Sequence, residues 1–155
     1  MSTVQLNRVV KNFTLPATGD KSIGLNSLRG HNVVLYFYPK DSTPGCTTEG
    51  CDFKANHAKF KRRKTVVLGV SRDSVASHEK FKTKYAFPFD LLSDADEKAC
   101  RLFDVIKEKN MYGRKVMGIE RSTFLIDDKG KLRREWRKVK VKGHVDEVLE
   151  AVSEL

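Results

Sequence analysis

With 155 residues, 39% of them hydrophobic and spread among charged ones, the chain can bury a core without staples and is too apolar to be disordered. No apolar run reaches the length of a membrane span, and MSTVQLNRVVKNF lacks the basic-then-apolar pattern of a secretion signal. A soluble cytoplasmic protein is therefore expected, built as one domain over residues 1–155. Three cysteines are an odd number for a disulfide framework, and the formal charge of +10 leaves an excess of cations to be placed.

The first thirty residues, punctuated by Gly19, Gly24 and Gly30, predict a loop-rich hairpin extension. NVVLYFY (32–38) and TVVLGVS (65–71) have the β-branched and aromatic content of buried strands. Residues 44–60 between them are long enough for one continuous crossover helix, which makes the pair a parallel, right-handed βαβ unit. SVASHEKFKTKYA follows as a helix capped by Asp73 or Ser74, with Val75, His78, Phe81, Lys82 and Tyr85 at partial helical spacing. FPFDLLSD is a short extended segment. From Asp94, the stripe Ala99, Leu102, Phe103 and Ile106 predicts a helix facing the core. STFLID (122–127), the turn DDKG and KLRREWRKV form a β-hairpin. HVDEVLEAVSEL closes the chain as an amphipathic helix with Val145, Val148, Leu149 and Val152 on one face. The fold class is α/β, a central mixed sheet flanked by helices.

The chemistry concentrates in YFYPKDSTPGCTTEGC, residues 36–51. A strand running through a turn into a helix is where open α/β sheets bind ligands. Ser42 or Thr43 is placed to cap the helix, Pro44 suits its first position, and Cys46 falls in its first turn, where unpaired N–H groups and the helix dipole favour a thiolate. A lone cysteine is usually a small buried hydrophobe. Here the neighbours Asp41, Ser42, Thr43, Thr47, Thr48 and Glu49 make poor core lining, so Cys46 reads as a nucleophile.

No metal site is expected, because Cys-x4-Cys lacks a second pair and His31, His57, His78 and His144 have no paired spacing. The Cys-x-x-Cys dithiol is absent too. On a continuous helix Cys46 and Cys51 stand about 7.5 Å apart along the axis and roughly 140° apart around it, out of disulfide reach. Any bridge between them requires the first turns to unwind. Gly45 and Gly50, each weakening a helix by about 1 kcal/mol relative to Ala, suit either unwinding or tight packing. Cys100 reads as a packed thiol. The basic runs KRRK (61–64) and KLRREWRKVKVK (131–142) could attract nucleic acid, anionic lipid or an acidic protein. No nucleic-acid motif accompanies them, and a solvated surface is the simpler account.

PKDSTPGC carries, in Pro39, Thr43 and Cys46, the PxxxTxxC pattern of peroxiredoxins, and with the second cysteine of CTTEGC the chain resembles their bacterioferritin-comigratory or Q-type subfamily. FTLPATGD, GVSRDSVASHEKF, FPFDLLSD and ERSTFLID extend the resemblance over nearly the whole chain. It implies a thioredoxin-like fold with an N-terminal extension and an antioxidant thiol peroxidase acting on hydrogen peroxide and organic hydroperoxides. Cys46 would be the peroxidatic cysteine and Cys51 the resolving one, joined in an intramolecular disulfide. Thr43 would hydrogen-bond the thiolate and the peroxide, Pro39 would shield the pocket from water, and Arg121 would orient the reacting oxygens. The resemblance further implies thioredoxin or glutaredoxin as reductant, a monomer, and no metal, haem, flavin or other cofactor.

Overall fold

The computed structural model describes residues 4–155, so the first three residues of the expected N-terminal extension lie outside the described part. In chain order the elements are β1 (Thr14–Ala17), β2 (Lys21–Gly24), β3 (Asn32–Phe37), α1 (Pro44–Ala55), α2 (His57–Arg62), β4 (Thr65–Ser71), α3 (Val75–Tyr85), β5 (Asp90–Ser93), α4 (Lys98–Leu102), β6 (Ile106–Met111), β7 (Arg114–Ile119), β8 (Ser122–Ile126), β9 (Leu132–Trp136) and α5 (His144–Ser153). The seven-stranded sheet has the order β2-β1-β5-β4-β3-β8-β9. Its centre is parallel, β3 on β4 and β4 on β5, whereas β8 and β9 add antiparallel on one side and the β1–β2 hairpin on the other. This is the expected α/β class with a mixed sheet.

Alternation along β3 divides the interior. Val33, Leu35 and Phe37 enter one core with Phe103 and Phe124, while Val34, Tyr36 and Tyr38 enter another with Phe53, Phe60, Phe81 and Val148. Helices α1, α2, α3 and α5 therefore cover the second face, and α4 with the N-terminal segment covers the first. Among the described residues no helix is long and apolar enough to cross a membrane.

Three expectations are corrected. The helix predicted over 44–60 breaks at Asn56, whose backbone leaves the helical region (φ −106, ψ 5) and whose side-chain amide donates to the Asp52 carbonyl at 2.9 Å. An Asn that bonds its own helix competes with the ladder there. The helix predicted from Asp94 to Ile106 shrinks to α4, because Glu97 (φ 59) and Asp104 (φ 54) take left-handed backbone at its two ends. Asp94 still serves it, accepting from the amides of Ala99 and Cys100 at 3.2 and 2.7 Å. Ile106 belongs to a strand, paired with Ile119 in the β6–β7 hairpin, which the sequence reading missed. The available signal was Tyr112-Gly113, both at positive φ as a two-residue hairpin turn requires.

Packing decides the role of Gly50 on α1. A Cβ there would lie 2.5 Å from Phe87 Cζ, and Phe87 is buried and stacked on Phe89 at 5.2 Å. Gly50→Ala is expected to lower stability by about 1–3 kcal/mol despite alanine's better helix propensity, since the ring has no room to retreat. Urea denaturation measures this; an unchanged or raised midpoint would contradict the packing argument.

Candidate active site

The end of β3 delivers the chain into the site. Tyr38 N still donates to Val70 O at 3.0 Å, and half-buried Pro39 then turns the chain off the sheet. Thr43 takes the cap position in extended conformation and Pro44 the first helical one, as expected. Ser42 sits at φ 64 and is not the cap. The Thr43 hydroxyl, however, donates to Lys40 O at 2.9 Å and caps no helix N–H, so it fastens the turn rather than the helix.

Cys46 is only 2% exposed, so a sequence neighbourhood that looked too polar to line a core is in part buried. Its polar neighbours Asp41 and Glu49 are buried with it, each held by a hydrogen-bonded partner side chain. For Glu49 that partner is Arg121. The antiparallel register that sets Phe37 opposite Ser122 places Arg121, one residue before β8, beside the end of β3 and under α1. Its guanidinium donates through Nη2 to Cys46 Sγ at 3.3 Å and through Nη1 to Glu49 Oε1 at 2.7 Å. Gly45 makes the approach feasible, as a Cβ there would stand 3.1 Å from Nη2.

Burial opposes this cluster and charge sustains it. Desolvation works to lower the Arg121 pKa, but Glu49 and Cys46 outweigh it and raise it. For Glu49, fully buried, desolvation wins over Arg121 and pushes the carboxyl from 4.5 to about 7. Burial, followed by the charges of Glu49 and Cys46, also raises the Tyr36 phenol well above its ordinary value. The Tyr36 hydroxyl and Glu49 Oε2 have no hydrogen-bond partner among the described residues. Lys109 on β6 feels the same site: burial and then Arg121 lower its pKa, against a smaller opposing pull from Cys46.

A second buried network fixes the loop before Cys46. His78 on α3 places Nδ1 2.7 Å from Asp41 Oδ2 and Nε2 2.9 Å from Leu92 O. The Leu92 carbonyl only accepts, so Nε2 donates to it, while Nδ1 bonds the Asp41 carboxyl group. Asp41 also accepts from Tyr38 (2.6 Å) and Ser77 (2.8 Å). Burial alone would raise the Asp41 pKa; the hydrogen bonds from His78 and Tyr38 hold it below the usual range. Asp73 completes the network by accepting from Asp41 N (2.9 Å) and Ser71 Oγ (2.6 Å). Ligand atoms of Asp41, Asp73 and His78 lie within 4.8 Å of one another, and hydrogen bonds engage them all. Sequence reasoning missed Glu49, Asp41 and His78 as site residues. The one signal was a histidine on the core stripe of a helix.

Cys51 is half-buried on α1, one and a half turns beyond Cys46, and both thiols are free. Cys100 lies buried on α4, away from this cluster, where desolvation and then Asp94 push its thiol well up. The structure thus brings together Cys46, Arg121 and Glu49, sets Thr43 and Pro39 in the adjoining turn, and leaves Cys100 apart.

The model of the AhpC/TSA family matches residues 6–135. A curated protein named Peroxiredoxin Bcp, from Xanthomonas campestris pv. campestris, is 54% identical over 98% of this chain and 96% of its own. The chain belongs to the AhpC/TSA family, as a peroxiredoxin of the Bcp type. The Bacillus subtilis Peroxiredoxin Bcp is 47% identical over 99% of this chain and 98% of its own. A solved structure of the Xanthomonas campestris bacterioferritin comigratory protein, described for its alkyl peroxide reduction activity in trapped intermediate and ligand complexes, superposes with a TM-score of 0.90. That protein is 51% identical over 99% of this chain and 98% of its own. The function of this peroxiredoxin is that of a peroxidase, and its fold matches the thioredoxin-like structures of its relatives.

Glu49 gives the peroxiredoxin site a signature in pH. Its folded value of about 7 lies above its ordinary 4.5, so the stability linked to its proton is present below about pH 4.5 and lost as pH rises through about 7. Buried His144, pushed down from 6.5 to about 4, titrates in an overlapping window with the opposite sign but is common to both proteins compared. Wild type is therefore expected to lose stability relative to Glu49→Gln as pH rises from about 4.5 to 8 in urea unfolding. Parallel pH profiles would contradict the burial of an ionisable Glu49.

Proposed function

We propose that the chain is a thioredoxin-dependent, two-cysteine peroxidase that reduces hydrogen peroxide and organic hydroperoxides through Cys46. The observation that carries this reading is the single guanidinium bonded to both Cys46 Sγ and buried Glu49. Arginine stays cationic and offers a rigid fork of donors. Glu49 fixes one arm of that fork, which leaves the other aimed at the sulfur and at any oxygen brought to it. The alkyl peroxide activity named for the Xanthomonas relative supports organic hydroperoxides as substrates.

In this scheme the Cys46 thiolate attacks the distal oxygen of ROOH. The O–O bond breaks as the S–O bond forms, and the leaving alkoxide takes a proton to depart as ROH, or as water when R is hydrogen. Arg121 stabilises the charge that moves from sulfur to the departing oxygen. The proton of the Thr43 hydroxyl is committed to Lys40 O, so its oxygen is left to accept from the O–H of the peroxide. Pro39, half-buried at the turn, limits water on that side.

Cys46 is left as a sulfenic acid, and the Cys51 thiol attacks its sulfur. The S–O bond breaks, water leaves, and the disulfide forms. Both residues lie on one regular helix, about 7.5 Å apart along its axis, so the start of α1 has to unwind before the sulfurs can meet. A dithiol such as thioredoxin then reduces the disulfide by exchange and is itself oxidised.

Cys46→Ser is expected to abolish thioredoxin-coupled turnover. Cys51→Ser should retain one rapid oxidation per chain and then stall, with Cys46 trapped as sulfenic acid. Peptide mass mapping after one equivalent of hydrogen peroxide separates the two outcomes. Full turnover by Cys46→Ser would overturn the assignment.

A further inference from the structure

Peroxide chemistry at the C-terminal end of β3 has no use for the excess of positive charge, and the structure sorts that charge in space. Part of the second basic run is consumed locally: Arg137 donates to the Phe103 and Asp104 carbonyls, and Arg134 lies 5.2 Å over the Trp136 ring. Lys129 and Lys131 in the β8–β9 turn, with Arg133 at the start of β9, instead meet the first run. Asn32 N donates to Lys64 O at 3.0 Å and Asn32 Nδ2 to Arg63 O at 3.5 Å, which ties the end of α2 to the start of β3. Gly30 N donates to Asp128 O at 2.9 Å, and Arg29 donates to Lys129 O, which tie that start to the β8–β9 turn.

One pole of the sheet thus gathers Lys61, Arg62, Arg63 and Lys64 beside Lys129, Lys131 and Arg133, with Arg29 and Lys59 at the margin. All of these side chains are exposed. Among the described residues, Arg133 alone of them pairs with a carboxylate, Asp127 at 3.3 Å, which already accepts from the amides of Lys129 and Lys131. Asp128 lies beside them as well.

We infer that this pole is a docking surface for duplex nucleic acid, held through its phosphates without regard to sequence. What the pole lacks selects this partner. The exposed large apolar residues near it are Leu6, Val9 and Leu155, single side chains on the N-terminal segment and at the C-terminus, whereas Met111, Tyr112, Val116 and Met117 stand on the β6–β7 hairpin. Stable seating in a bilayer surface calls for an apolar face to insert. A protein partner calls for buried aromatic or arginine anchors in a packed centre, and a single strand calls for aromatic platforms. A duplex backbone asks only for a field of cations at phosphate spacing. The inference is independent of the cysteine chemistry. The rise of β3 from Asn32 to Phe37 is about 17 Å, and Cys46 lies beyond its far end, so a duplex at the pole leaves the thiol open to peroxide.

The test is the fluorescence anisotropy of a labelled 20-base-pair duplex titrated with the full chain at increasing NaCl. Binding at about 50 mM salt is expected, weakening about 10²-fold by 200 mM if four phosphates are engaged. The triple reversal R62E/R63E/K64E should weaken binding at least tenfold at low salt. The control K138E/K140E/K142E makes the same change in charge on other exposed lysines and should have a much smaller effect. Oxidation of Cys46 by hydrogen peroxide in R62E/R63E/K64E should proceed at the wild-type rate, which also shows that the variant is folded. Absence of binding at 50 mM salt, equal weakening by both triple variants, or retention on anionic phospholipid vesicles without retention on the duplex would each overturn the inference.

Discussion

The half-buried fork of Arg121, holding Cys46 with one nitrogen and Glu49 with another, is the constraint around which the rest of the site is arranged. A guanidinium so enclosed is costly to desolvate, and only neighbouring negative charge offsets that cost. Several unrelated features become necessary at once. The β3–β8 register must deliver Arg121 to the end of β3. Residue 45 must lack a side chain, and residue 49 must be an acid even though its position on α1 faces the core. Glu49, raised to about 7, shows how closely the opposing effects balance.

The site also has to reconcile a tightly held Cys46 with its proposed meeting with Cys51, which needs a helix to open. The structure confines that opening. Upstream, the His78–Asp41 pair and its partners Tyr38, Ser77 and Asp73 bind the turn to α3 and to the sheet. Downstream, Gly50 lies against Phe87, and Phe53 stacks on Tyr36 at 4.6 Å. Between these two anchors lie Pro44 to Glu49, where Arg121 holds the Cys46 sulfur. In the proposed cycle, converting the thiolate to a sulfenic acid removes the charge that strengthens this bond, which would couple the chemistry to release of the helix start.

Much of this was legible in the sequence, for identifiable reasons. β3 and β4 announce themselves by continuous β-branched runs, and α5 by its 3.6-residue stripe, because burial on both faces or on one imposes those patterns. Cys46 and Arg121 were found because the turn motif and the family resemblance point at them. Glu49 and His78 were not, since nothing local distinguishes a buried acid or imidazole from a solvated one; their roles arise from partners 72 and 37 residues away. The α4 region misled because the spacing of Ala99, Leu102, Phe103 and Ile106 is helical, yet left-handed residues at 97 and 104 cut the helix to five residues. The basic runs looked like two separate solvated stretches, and the sheet alone brings parts of both to one pole.

The most direct test of the account is the single-turnover oxidation of Cys46 by hydrogen peroxide, followed by stopped flow, in wild type and in Arg121→Gln. The glutamine leaves Glu49 an amide partner but removes the charge and the fork. If Arg121 positions the sulfur and stabilises the transferring charge, the second-order rate constant should fall by about 10²-fold or more, with the far-UV and near-UV circular dichroism unchanged. A rate within about threefold of wild type, in a variant that remains folded, would show that the thiol reacts without the fork.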